Sequence, residues 1–363
     1  MLIVYRLGAH ITLPGIDDIE LEKFFDGLRG RTGGSVLDFV DIFSGGAFKQ
    51  MTIFALGIQP YISASIVMQL LTVVIPFLEK LSKEPDGRKK ITQYTRYATV
   101  ILSAIQGIMI SLVLQRPGSI IRSENIEIVT NPGIWWTLLT MITLMAGTSF
   151  VMWLGEQITE RGIGQGISLI ITIGILSGMP GGIQTISNQL LNRQIDLPKL
   201  VIFLALGVVA IMGTVYITFC VRKIPVQYAR RVVGRKVMGG QATHIPLRVN
   251  AAAVQINPVQ MADDLRKYGG FIPGIRPGKK TADYINDTLT RITLPGAVFL
   301  AAIAVFPLLL QGWLGTGALI SGAAILIVVG VVLDTVSQIE SYLTMRHYEG
   351  FLKDRRVRGR RSR

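Results

Sequence analysis

The densest chemistry in this sequence is cationic. Arg222, Lys223, Arg230, Arg231, Arg235 and Lys236 crowd one stretch, and Arg248 follows a short distance on. Ammonium and guanidinium groups at this density bind polyanions, and beside a membrane each contributes roughly 1 kcal/mol of attraction to anionic lipid. Arg276, set between Pro273 and Pro277 in a turn-rich segment, is a further isolated cation. After Asp354 the tail reads Arg355-Arg-Val-Arg-Gly-Arg-Arg-Ser-Arg363, a basic cluster suited to lipid or RNA.

Other reactive groups are sparse. His244 and His347 stand alone beside Pro and Tyr, without the companions a metal site needs. Cys220 is the single cysteine, which excludes an internal disulfide framework and a cysteine metal cluster. Its place at the end of an apolar run fits a small buried side chain. The sequence contains no His-Glu-x-x-His, Gly-x-Ser-x-Gly or Walker-type phosphate loop, so neither hydrolysis nor nucleotide turnover is expected.

The elements that carry these charges are membrane spans. Half of the 363 residues are apolar and only 17% are charged, and the mean hydropathy is +0.47. A soluble domain of this length does not combine such values. Apolar stretches long enough to cross a bilayer fall at 52–78, 97–115, 134–154, 200–221, 293–311 and 318–337. A shorter, Gly-rich one covers about 163–179. Residues 1–10 read as the end of a further span, too short for a signal core.

Charge sets the orientation. The segments 80–96, 155–162, 222–292 and everything after 338 hold 28 of the 37 Lys and Arg residues. The positive-inside rule places them on the cytoplasmic side. By contrast, the centres of the spans carry no Asp, Glu, Lys, Arg or His; Asp334 lies near the cytoplasmic end of the last. Ion-coupled transporters generally need an ionisable group at mid-membrane, so any pathway here is lined by apolar side chains. The stretch 34–46 is apolar, short and interrupted by Asp38 and Asp41. It fits a half-helix tucked into the membrane domain from outside, with an interfacial amphipathic helix as the alternative.

Several strings resemble the SecY family of translocation channels and occur in that family's order. They are Phe43-Ser-Gly-Gly-Ala47, Ile53-Phe-Ala-Leu-Gly-Ile-Gln-Pro-Tyr-Ile-Ser-Ala-Ser65, and Trp153-Leu-Gly-Glu-Gln-Ile-Thr-Glu-Arg-Gly-Ile-Gly-Gln-Gly-Ile-Ser168. They continue with Lys223-Ile-Pro-Val-Gln-Tyr-Ala-Arg230, Thr243-His-Ile-Pro-Leu247, Gly269-Gly-Phe-Ile-Pro-Gly-Ile-Arg-Pro-Gly278 and Met345-Arg-His-Tyr-Glu-Gly350. The resemblance implies an all-α polytopic membrane protein, with ten helices in two pseudo-symmetric halves around an hourglass pore. It implies a plug helix, here Val36, Leu37, Phe39, Val40, Ile42 and Phe43. It also implies a waist ring, by position Ile58, Ile62, Ile167, Ile171 and Ile327. The first two pairs are spaced i, i+4, so each pair faces one way along a helix. A collar of branched apolar side chains excludes water and ions when empty, yet parts around a passing chain.

The family likewise implies that Arg222, Lys223, Arg230, Arg231, Arg235, Lys236, Arg248 and Arg276 dock a ribosome and a SecA-type motor ATPase. Phosphate contacts of that kind are sensitive to salt. SecE-type and SecG-type small membrane subunits, translocating polypeptides with their signal sequences, and anionic lipids complete the implied partners. No cofactor is implied. The implied location is the bacterial inner membrane. Domains expected on this reading are a first membrane half (1–221), basic cytoplasmic loops (222–292), two last spans (293–337) and a basic tail (338–363).

Three departures from the family stand out. The first span is truncated, and span six runs into Arg222 with little polar linker. The largest is at Asn250-Ala-Ala-Ala-Val254, which joins the string expected before span seven to the string expected after span eight. Those two spans, one side of the family's lateral gate, are missing. Either an internal segment is omitted and the polypeptide is longer, or the hairpin is deleted; the first is the expectation, because one cut hairpin leaves its neighbours unpaired. Among other classes, a secondary transporter finds support only in the Gly/Pro breaks at 57–60 and 162–166, and a membrane-embedded enzyme in none.

Overall fold

The computed structural model describes residues 1–32, 41, 43–84, 86–116, 128–192, 196–228, 231–233, 236–238, 242–248, 258–314 and 322–354. Five plug residues (Val36, Leu37, Phe39, Val40, Ile42), Arg230, Arg235, the 250–254 junction and the tail from 355 lie outside them. The described helices are α1 (Leu2–Gly8), α2 (Asp18–Thr32), α3 (Gln59–Val74), α4 (Pro76–Lys83), α5 (Gly87–Gln115), α6 (Ile134–Arg161), α7 (Gly166–Leu191), α8 (Leu197–Phe219), α9 (Pro258–Lys267), α10 (Lys279–Leu314) and α11 (Gly322–Asp354). Strands β1 (Val221–Tyr228), β2 (Arg231–Val233), β3 (Lys236–Met238), β4 (Ala242–Arg248) and β5 (Gly270–Phe271) fall between α8 and α10.

Among the described residues, six helices are long and apolar enough to cross a membrane, α5, α6, α7, α8, α10 and α11, and the bent pair α3–α4 makes seven when counted as one broken span. Two expected boundaries need correcting. The 52–78 stretch is not one helix. Residues 51–58 form successive turns, with Gly57 at φ 51°, and the helix axis turns by 104° between α3 and α4. The residue before a proline is driven out of the helical region, and Ile75 is extended (ψ 114°) so that Pro76 can open a new helix. The Gly-rich 163–179 segment, by contrast, joins from Gly166 onward a 26-residue helix that runs through Pro180 to Leu191.

The chain divides into two units. The first comprises 1–194, 316–320 and 331–363. Its centre is α6, whose most apolar window is 44% buried against 6% for α8 of the other unit. The α5 face that meets α6 is a seam of small residues (Thr95, Thr99, Ser103, Gly107 and Ser111), all buried. A side-chain carbon at Gly107 would lie 3.2 Å from the Met141 Cα. In lipid, where apolar contact gives no advantage over lipid tails, such close backbone approach is what holds helices together. At one end of the seam Arg96 Nε donates to Glu156 Oε1 at 2.7 Å. At the other, Leu13, Phe48, Ile128 and Trp136 form a core with Leu21, Phe24 and Phe25 of α2. Asp17 caps α2 through the Ile19 N–H at 2.9 Å.

The second unit comprises 195–315 and 321–330. Here the basic loops are not irregular, as an all-helical reading implies, but form a small sheet. β1 pairs antiparallel with β4, Ile224 opposite Ile245 and Val226 opposite Thr243, and β5 adds at Gln227 and Tyr228. Ile224, Val226, Leu247, Leu265, Ile272 and Ile285 close a compact core between the sheet, α9 and α10. Within the membrane part of this unit, Phe299 of α10 packs on Gly213 of α8.

Candidate functional site

The first unit is built around the segment 43–58. Phe43 and Ser44 end a helical turn, and Gly45 and Gly46 both take positive φ (69° and 88°). Only glycine adopts that conformation without strain. The Ser44 hydroxyl accepts from the Phe48 N–H (3.0 Å), and Asp41 Oδ1 accepts from the Lys49 N–H (3.0 Å). Lys49 Nζ also lies 3.3 Å from Asp41 Oδ2. Beyond the turns, Phe54 stacks on Tyr5 and on Phe150, with centroids 5.9 and 6.0 Å apart.

Ile58 is buried (2% exposed) as the residue that caps α3, and its carbonyl accepts the Ile62 N–H at 3.1 Å. Ile62, one turn on, is half-buried. Ile167 is the second residue of α7, half-buried, with its Cγ1 2.9 Å from where a Gly155 side-chain carbon would lie; Ile171 is buried. Four of the five expected ring residues therefore belong to the first unit, on the opening turns of two helices that both follow glycine-rich breaks. Ile327 lies in the α11 segment of the second unit, half-buried.

The break before α7 is anchored on its far side. Gly164 (φ 89°) donates its N–H to Gln338 Oε1 of α11 at 3.0 Å, and Gln338 Nε2 donates to Asp334 Oδ2 at 3.1 Å. Gly166 packs directly on the Gly155 carbonyl, and its N–H donates to the Thr159 hydroxyl at 2.9 Å. The beginning of α7 is thus held by α6 and α11 together.

Of the basic residues, Arg222 and Lys223 are exposed at the start of β1, Arg231 and Lys236 lie on the β2–β3 hairpin, and Arg248 ends β4 opposite Val221. Arg276 is exposed between Gly274 (φ 83°) and Gly278 (φ 109°), and its carbonyl accepts the Thr281 hydroxyl at 3.0 Å. The sheet and the Arg276 turn share one unit. Sequence reasoning missed several structural polar residues: Tyr5, Arg6, Arg96, Glu156 and Gln338. Arg6, Arg96 and Glu156 were detectable as charges at the ends of apolar runs, which need a partner there. The hydroxyl and amide gave no comparable signal.

The SecY family model matches residues 52–255 and 251–336, two pieces that meet at 251–255. The chain is 39% identical to the protein translocase subunit SecY of Streptomyces scabiei over 420 positions, covering 97% of this chain and 95% of that protein. It is likewise 39% identical to that of Thermus thermophilus over 424 positions, covering 99% and 94%. Both alignments are longer than the 363 residues here, so the relatives carry residues with no counterpart. Together with the break in the family match, this agrees with an internal segment missing near 250–254. Among solved structures, a protein-conducting channel superposes with a TM-score of 0.60 at 15% identity, over 94% of this chain and 90% of that one. Sec61 in the canine ribosome–channel complex from the endoplasmic reticulum does so with 0.55 at 14%, over the same shares. With its fold, its order of motifs and most of its length accounted for, this chain belongs to the SecY family of protein translocase subunits.

Proposed function

We propose that this chain is the channel-forming subunit of a protein translocase, which conducts unfolded polypeptides across and into a bacterial inner membrane. The observation that carries the reading is the family match over 97% of the chain at 39% identity. The chain's own chemistry suits it: spans without charge at their centres, and apolar side chains on the opening turns of α3 and α7. Ile58, Ile62, Ile167, Ile171 and Ile327 form the ring, which seals by dewetting and yields to any extended chain. The segment 36–43 is the plug. Energy comes from outside the chain, from a SecA-type motor or a translating ribosome. Arg222, Lys223, Arg230, Arg231, Arg235, Lys236, Arg248 and Arg276 are the docking residues, and the side that carries them is cytoplasmic. SecE-type and SecG-type subunits brace the membrane domain. A transporter of small solutes is not favoured, because the spans offer no coupling group.

The ring is tested by Ile62→Gly and Ile171→Gly in proteoliposomes. Each widens the waist, and halide leak rises by about tenfold or more as the dewetted barrier is lost. Leak equal to that of the unaltered chain would remove these residues from the ring.

A further inference from the structure

The turn at Ser44 and Gly45 is gripped from one helix and packed against another. The Tyr5 hydroxyl donates to the Ser44 carbonyl at 3.3 Å. Arg6 Nη1 donates to the Gly45 carbonyl at 2.8 Å; the Ser177 hydroxyl of α7 lies 3.4 Å from that same oxygen but donates at 2.7 Å to the Gly174 carbonyl of its own helix. Tyr5 is fully buried and Arg6 half-buried. Gly45 meets α7 so closely that a side-chain carbon on it would lie 2.8 Å from the Gly174 Cα. Two side-chain donors of α1 thus hold two successive carbonyls where the turn meets α7. A charge-assisted bond from a half-buried guanidinium is among the stronger single contacts a membrane domain offers. Its acceptor is a backbone group, so the bond fixes where the chain passes, whatever side chains the turn carries.

We propose that Tyr5 and Arg6 are positioning residues that clamp the Ser44–Gly45 turn from α1 against α7, and that this three-way joint holds the channel in its sealed state. The sealing part rests on the channel reading above; the clamp itself does not. Loosening the joint frees the 43–49 turn from α7, the helix that bears Ile167 and Ile171, and the barrier leaks without any change to the ring.

The test uses the full chain in two settings. In nanodiscs, hydrogen exchange of peptides spanning 43–52 is compared for the unaltered chain, Arg6→Ala, Arg6→Lys and Ser177→Ala. Arg6→Ala raises exchange there by about tenfold, the loss expected for one charge-assisted bond, while peptides of α5 and α6 stay unchanged. Arg6→Lys keeps a cationic donor and restores most of the protection. In phosphatidylethanolamine–phosphatidylglycerol vesicles, iodide leak rises in Arg6→Ala, returns toward the unaltered level in Arg6→Lys and stays at it in Ser177→Ala, whose hydroxyl is bonded within α7. Should Arg6→Ala not fold, Arg6→Gln carries both measurements. Unchanged exchange at 43–52 overturns the clamp. Raised exchange with unchanged leak overturns its role in sealing, provided that Ile62→Gly leaks in the same vesicles. If Ile62→Gly is tight as well, Ile62 leaves the ring and the sealing role falls with it, while the exchange data alone decide the clamp.

Discussion

Replacing Gly147 by alanine adds one methyl group at the most crowded point of α6. That methyl would fall inside the Ile53 carbonyl oxygen, 3.0 Å from its carbon and 3.3 Å from the Phe54 Cδ1. The obstacle is backbone, not the tip of a flexible side chain, and that backbone is itself held by the Ile53 N–H donating to the Ile11 carbonyl at 2.9 Å. Relief therefore requires α6 to move off the 51–58 turns by on the order of 1 Å, an overpacking cost of roughly 1–3 kcal/mol. The usual helix gain of alanine over glycine is about 0.5–1 kcal/mol in water. It shrinks in a membrane, where the spans stay helical even when the bundle comes apart. Gly207 of α8 supplies the control, since a methyl there meets nothing within 4 Å. Measured by reversible unfolding in mixed micelles, Gly147→Ala loses about 1–2 kcal/mol and Gly207→Ala changes by less than about 0.5 kcal/mol. Equal stability of the two variants would refute the packing argument for the first unit.

Other outcomes follow from the same structure. Arg276→Glu slows motor-driven export severalfold or more while assembly and melting stay normal; export at the unaltered rate would end its docking role. The Arg96–Glu156 pair, 42% and 17% exposed at its two side chains, is partly screened, so a double-mutant cycle with Arg96→Ala and Glu156→Ala yields coupling of about 1 kcal/mol. Coupling near zero would show that the two charges do not hold α5 to α6. Intact mass decides the missing hairpin. A value near 39.8 kDa means that spans seven and eight are absent from the polypeptide, and a value larger by two spans of ~20 residues and their loop means a longer chain.

The membrane architecture was legible because hydropathy and charge act over twenty residues at a time, and local irregularities do not erase them. What such averages conceal is geometry. Apolarity runs unbroken from 52 to 78, so the span looked continuous. Yet Gly57, with φ 51°, and the Ile75-Pro76 step dictate turns before α3 and a sharp bend after it. In α7 the error ran the other way. The apolar, Gly-rich stretch ends near 179, but the helix continues through Pro180 to Leu191. The sheet of the second unit had a local signal in the alternation of Ile224 and Val226, masked by Pro225 and by the basic residues around it. Prolines at 225 and 246 sit in register two residues apart, opposite His244 and Lys223, where an antiparallel ladder can dispense with their N–H.

The candidate site divides along the same line. The resemblance offers candidate ring positions by motif, and Ile58, Ile62, Ile167 and Ile171 lie on the first turns after glycine-rich breaks. The groups that fix those turns were not legible. Gln338 lies 174 residues from the Gly164 N–H that it accepts, and Arg6 lies 39 from the Gly45 carbonyl. No periodicity or composition couples positions so distant; only the packed helices do.

The most direct test of the account is protected import. The purified chain is reconstituted with SecE-type and SecG-type subunits, supplied with a SecA-type motor and ATP, and offered a secretory precursor. A protein-conducting chain gives ATP-dependent protection of the precursor from external protease, abolished when the motor is left out. No protected precursor, in vesicles where the Thermus thermophilus relative imports it under identical conditions, would contradict the claim that this chain conducts polypeptides.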